Sequence, residues 1–383
     1  MKLNRLHLVG CVLVSLALTA GAQTKPAAQP ADAGCFQLSL VTPVQIQNAD
    51  RAINGLRINL IYGQNTDVSG LDIGIINHAT GTLKGLEIGV VNIVEGKSSA
   101  YQLGLINGVG EDFSGVQVAP VGVNYVGGGS QGWQLTAAGV DVVMGKMDGG
   151  QANCFGVNYV GEDGDNQLSA AGINWVGEKQ NGVQIVAAGL DYAGSDADLQ
   201  IAGFGLNIGL GNVSAGQVVA AGFNIALESV DAQLVAAGLN YAGDAASGLQ
   251  ATAAGINWAG GKTEAQIVAA GLNATMDSIA GGQYDVLGVN FANNDVNGAQ
   301  GLVAGINIVG GKTDGAQVAP VGLNYSGELD GTQVGALNIA SKAKGCQIGV
   351  VNYCDQLDGL QIGVLNIAVQ NKLPVMVVVN ANW

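Results

Sequence analysis

A glutamine stands seven residues before an asparagine or aspartate thirteen times in succession, from Gln117/Asn124 through Gln184/Asp191 to Gln317/Asn324. Shorter units flank this array. Asp72/Asn77, Glu87/Asn92 and Gln102/Asn107 precede it, and Gln333/Asn338, Gln347/Asn352 and Gln361/Asn366 follow it. A self-similar period of this length decides the architecture before any single residue does, because each unit must bury its apolar surface against its neighbours. A chain of 383 residues therefore needs no division into several globular domains. We read residues 1–22 as a signal peptide, 23–34 as a flexible leader and 35–383 as one repeat domain.

The units are strands. Residues 183–192, Val-Gln-Ile-Val-Ala-Ala-Gly-Leu-Asp-Tyr, are apolar and β-branched over about nine positions, with Gly, Asp and Ser connectors on either side. Glycine recurs inside every unit, which excludes a helix. The long units exceed the flanking ones by two residues, an insertion that preserves the facing of every side chain. By simple alternation, Val183, Ile185, Ala187, Gly189 and Asp191 share one face. Gln184, Val186, Ala188, Leu190 and Tyr192 share the other.

Two all-β arrangements of about twenty or more strands satisfy this pattern. One is an antiparallel meander closed into an outer-membrane-type β-barrel; the alternative is a parallel β-solenoid with one unit per coil. Three features favour the barrel. From Asn158 the connectors alternate 9, 10, 9, 10 residues as far as Gln283, as two classes of hairpin turn would. The strands carry almost no charge and place aromatics (Tyr125, Tyr159, Trp175, Tyr192, Tyr241, Trp258, Phe291, Tyr325) directly after the Asn or Asp, like the lipid-facing band of a barrel. The final strand alternates Val375, Val377, Val379 and Ala381 toward Trp383, which suits recognition by barrel-insertion machinery. Against the barrel, Ile, Ala, Gly and Asn make a poor lining for a water-filled pore.

The N-terminus predicts export. Lys2 and Arg5 precede the apolar run Val12–Leu18, and Ala20-Gly21-Ala22 is a cleavage site of the A-x-A type. Lipid attachment at Cys11 is the alternative, although most of the apolar run would then follow the cleavage point. A net charge of −15 excludes nucleic-acid binding through a basic patch.

No catalytic, cofactor-binding or metal-ligating residue stands out, and no enzyme is expected. Gly260-Gly261-Lys262-Thr263 and Gly310-Gly311-Lys312-Thr313 misplace a glycine of the phosphate-loop pattern and precede a strand, so they read as turns. Asp163/Asp165 and Asp196/Asp198 lack the spacing of a calcium loop. His78 has no Cys or carboxylate at ligand spacing, which gives neither a catalytic triad nor a zinc site. The repeated Gln and Asn are expected to satisfy backbone groups or one another. Cys35, Cys154, Cys346 and Cys354 suggest no disulfide framework.

The units Gly345-Cys-Gln-Ile-Gly-Val-Val-Asn-Tyr353 and Gly359-Leu-Gln-Ile-Gly-Val-Leu-Asn-Ile367, with Leu373-Pro374 and Trp383 after them, resemble the leptospiral surface-repeat family. The resemblance runs from about Gly55 and is closest over 331–383. It departs in the central units, where Gln-Ile-Gly becomes Gln-Ile-Val-Ala-Ala-Gly. It implies a surface or outer-membrane location and carries over no catalytic residue and no ligand. On the barrel reading the chain has a structural or surface role, with outer-membrane lipid as the expected partner; on the solenoid reading it is secreted and binds a surface, a polymer or a neighbouring cell through its repetitive face.

Overall fold

The computed structural model describes residues 33–382; the signal-peptide, Cys11 and Trp383 readings lie outside them. The described residues form a parallel β-solenoid. Each unit is one coil, and like positions of successive coils pair in parallel: Gln184 with Gln200, Gly189 with Gly205, Asp191 with Asn207, Tyr192 with Ile208. The antiparallel meander and the barrel are thereby corrected, and the solenoid alternative holds. The reason lies in the Gln and Asn positions. A side-chain amide has a donor at one atom and an acceptor at the other, so identical residues stacked in register bond one another without limit. An antiparallel sheet would not bring those positions together on every strand.

Alternation also fails within a unit, and the failure makes the coil. Gln184 and Val186 point inward, Ala187 and Ala188 are both exposed, and Asp191 and Ala193 point inward again. One extra outward residue turns the chain through a corner and restores inward facing on the next side. At that corner the φ of Gly189 is +149°, and a Cβ there would lie 1.9 Å from the Gly172 carbonyl oxygen. The equivalent glycines stack into a column from Gly122 through Gly156 to Gly305. After Ala193 a short turn returns the chain to Ala197, which opens the third side.

The alternating connector lengths have their cause on that third side. Two residues separate Gln180 from Val183 where one separates the paired Ala197 and Leu199. The next coil again holds one more, with Val213 and Gly216 opposite Ala197 and Leu199. Every second coil thus accommodates a bulge, and no second class of turn is required.

The interior has three strata. Beside the turn lies an apolar column that includes Val68, Leu83, Phe113, Met147, Ala197 and Val213, facing Ala79, Val94, Val126, Val160 and Ala226. The Gln column occupies the middle and the Asn column lies toward the corner, all without solvent exposure. Ends are closed differently. Gly34–Val41 pairs parallel with Ile53–Asn65, whereas Val375–Asn382 lies antiparallel across the last coil, Gly359 opposite Asn382. The expected alternation of that last strand is interrupted at Val378, whose φ is +68°.

Candidate binding surface

Two long outward sides meet at the glycine corner, and in the thirteen long units neither carries a charged residue at its exposed positions. The first side presents the residues one, three and four places after each Gln: Ile185, Ala187 and Ala188 in one coil, Ile201, Gly203 and Phe204 in the next. The second presents the residues on either side of the Asn or Asp, such as Leu190 and Tyr192. At about 4.8 Å per coil, thirteen units make faces about 60 Å long. Corner residues project furthest: Phe155 is 64% exposed, Phe204 68% and Val321 69%.

Shallow grooves run along the first side. One of 850 Å³ lies between Ile201 and Val286 and is lined mainly by Val218, Ala220, Leu234 and Ile267. Another of 500 Å³ lies between Val118 and Ile185 over Ala137 and Cys154. Residues directly after the Gln, bulky in most units, form the wall, and small residues two places further on form the floor. On the second side, Trp175 and Tyr192 stack with ring centroids 3.8 Å apart at 21°. Their row adjoins the turns, where the charge is concentrated.

The acidic turns bind the coils to one another. Asp163 Oδ2 accepts from Lys146 Nζ at 2.8 Å, and its Oδ1 accepts from the Lys179 amide at 3.3 Å. These donors hold its carboxyl below the usual range. Asp196 Oδ1 accepts from the Asn212 amide at 2.9 Å, and Asp198 Oδ1 from the Ser214 hydroxyl at 2.8 Å. Asp165 is pushed upward, first by burial and then by Asp148. Among the described residues, no group of three His, Cys, Asp or Glu side chains is placed to hold a metal ion. Gly260-Gly261-Lys262-Thr263 lies at a turn, with Thr263 opening the next strand, whereas Gly310-Gly311-Lys312-Thr313 runs within the continuous strand Ala299–Ala368; both threonines are buried. All four described cysteines are thiols, and burial pushes the Cys354 thiol up to about 12.

His78 is better connected than its sequence neighbours suggested. Its Nδ1 lies 2.9 Å from the Tyr62 hydroxyl and its Nε2 3.0 Å from Glu95 Oε1. Tyr62 and Glu95 sit one coil away on either side, a relation that only the stacking register reveals. Burial lowers the His78 pKa, opposed by Glu95 and assisted by Arg57. Both grooves described above lie further along the solenoid.

The Gln and Asn columns are internal ladders that run in opposite directions. Gln184 Nε2 donates back to Gln167 Oε1 at 2.9 Å and also to the Tyr192 carbonyl at 3.0 Å. Asn174 Nδ2 donates forward to Asp191 Oδ1 at 2.7 Å and to the Ile185 carbonyl at 2.9 Å. Each amide therefore uses both hydrogens, as a buried amide must. The Gln ladder ends on an acceptor, Glu87 Oε2, 2.7 Å from Gln102 Nε2. Beneath it Asp72 is held by Arg57, whose Nε lies 2.8 Å from Asp72 Oδ1. Burial, reinforced by Asp72, pushes the Glu87 carboxyl well above its ordinary value.

The exposed rows beside the Gln and at the corner were missed by strict alternation, which divided them between two faces. A signal was present. The position four after Gln holds Val121, Phe155, Phe204 and Leu287 among alanines, a freedom of size that fits an exposed site and not a packed one. No known protein family, curated protein or solved structure matches the chain.

Proposed function

We propose that this chain is an exported, non-enzymatic surface protein that lies on a lipid surface through the apolar sides of its solenoid. The observation that carries this reading is the length of uncharged, outward side-chain rows, interrupted by no ionic group over thirteen units. Exposed apolar area on this scale marks an interaction face. Its repetition along one axis suits an extended, structureless partner better than a protein with one unique footprint. The Tyr and Trp row stands between the apolar side and the charged turns, the order of groups expected from hydrocarbon through headgroup to water. The acidic balance favours zwitterionic over anionic lipid.

The solenoid in this reading lies on the surface and does not span it. Among the described residues, no helix is long and apolar enough to cross a membrane. The A-x-A site at Ala20–Ala22 and the resemblance to leptospiral surface repeats support export and a surface or outer-membrane address.

Sedimentation with phosphatidylcholine vesicles tests the proposal. Wild type is expected in the vesicle pellet. A variant with Val121, Phe155, Phe204 and Val321 each replaced by Glu should bind at least tenfold more weakly with unchanged circular dichroism. Replacing Asp196 by Lys in a turn should leave binding intact. Wild type remaining in the supernatant, or the fourfold variant binding normally, overturns the lipid reading.

A further inference from the structure

Two rungs of the Asn ladder are aspartates, and both interrupt it. The forward chain of amide donors runs from Asn59 through Asn77, Asn92, Asn107 and Asn124 to Asp141. It resumes at Asn158, passes through Asn174 and stops at Asp191. It resumes again at Asn207 and is continuous to Asn366. A carboxylate only accepts, so neither aspartate can pass a hydrogen bond to the next coil.

The second break leaves two orphans on directly paired residues of neighbouring coils. Asp191 Oδ2 and Asn207 Oδ1 are both buried without a hydrogen-bond partner, and their residues are register partners. Both atoms are acceptors, and one hydrogen between them would satisfy both. We propose that Asp191 is a carboxylic acid at neutral pH, holding a proton on Oδ2 that it donates to Asn207 Oδ1, and that this proton carries the ladder from one coil to the next.

Reversing the amides beyond the break is the other way to supply a donor, and the geometry opposes it. Asn207 Nδ2 donates to the Val218 carbonyl at 2.9 Å, Asn224 Nδ2 to the Leu234 carbonyl at 2.9 Å, and Asn240 Nδ2 to the Ala251 carbonyl at 3.0 Å. Turning these amides over would set oxygen against oxygen at each rung. Among the described residues, no cation compensates Asp191. It meets Asn174 from one coil, Asn207 from the next and the Val186 amide of its own; the only titratable neighbour in sequence, Tyr192, points outward. Burial pushes the Asp191 carboxyl to about 8, against the donors Asn174 and Val186. Asp141 differs in degree. Thr136 Oγ1 also donates to it, Asn158 Oδ1 is already supplied by Asn153 at 2.8 Å, and its carboxyl rises only to about 6.

The folded-state value is raised, so the contribution to stability is complete below the ordinary value of 3.8 and is lost as pH rises to about 8. Infrared difference spectra at pH 7 between wild type and Asp191→Asn should show one carboxylic acid carbonyl band present only in the wild type. Asp196→Asn should remove none. In urea melts, the folded-to-unfolded ratio of wild type relative to Asp191→Asn should fall by up to tenfold per pH unit between about 4 and 8 and then level off. Absence of the acid band together with a pH-independent difference between the two proteins would show an ionised Asp191 and overturn the proposal. Neither readout depends on lipid binding.

Discussion

Gly189 shows how a single position can shape the coil. Its backbone conformation is one that L-residues rarely adopt, and the space its Cβ would fill belongs to the Gly172 carbonyl. Gly189→Ala therefore adds both dihedral strain and a backbone clash, and should destabilise the protein by more than about 1 kcal/mol. Asp196→Ala, at a solvated turn, loses the exposed hydrogen bonds that Oδ1 accepts from the backbone and side-chain amides of Asn212 and should cost about 1 kcal/mol or less. Urea midpoints for the two variants check this ordering, and a smaller effect at Gly189 contradicts the corner geometry. The buried Asp72 is equally particular. Its two oxygens are engaged by Arg57, and Asn59 Nδ2 also donates to Oδ1 at 3.1 Å. An isolated charge there would be far costlier than this paired one.

At the scale of elements, strand content, connector positions and the importance of Gln and Asn were legible in the sequence, because they depend on composition and spacing along the chain. Strand direction was not. The 9, 10 alternation from Asn158 to Gln283 is compatible with two hairpin classes or with a bulge on every second coil, and only the pairing of Gln180–Val183 against Ala197–Leu199 separates them. The corner at Ala187–Ala188 was hidden for a related reason. A reversal of facing after one extra residue looks the same in sequence as uninterrupted alternation when both sides are apolar. The outward rows were therefore legible as uncharged but not as two sides of one coil. Val375–Asn382 is a further element with a definite task. It covers the edge that the last coil would otherwise offer to another chain, and its kink at Val378 makes it a poor template for continued pairing. Deleting residues 375–383 should produce concentration-dependent association, visible by light scattering, in a protein that keeps its β-rich circular dichroism. A truncated chain that stays in the wild-type oligomeric state at all concentrations would argue against this capping role.

For the whole molecule, register is the property on which everything else depends. In-register stacking makes the Gln and Asn ladders, brings Tyr62, His78 and Glu95 together, and aligns small and large side chains into grooves. It also collects charge at the turns and along the third side and leaves the two long sides apolar, the basis of the proposed lipid contact. Pulsed electron–electron distance measurements on nitroxide pairs test that register most directly. With one label at position 204 and the second at 254, 287 or 321 in a chain whose native cysteines are replaced, the partners lie three, five and seven coils away. At about 4.8 Å per coil, backbone separations of about 14, 24 and 34 Å are expected from this register, rising in equal steps along one axis. Distances that fail to increase with coil number, or that turn back on themselves as they would around a closed barrel, would contradict it.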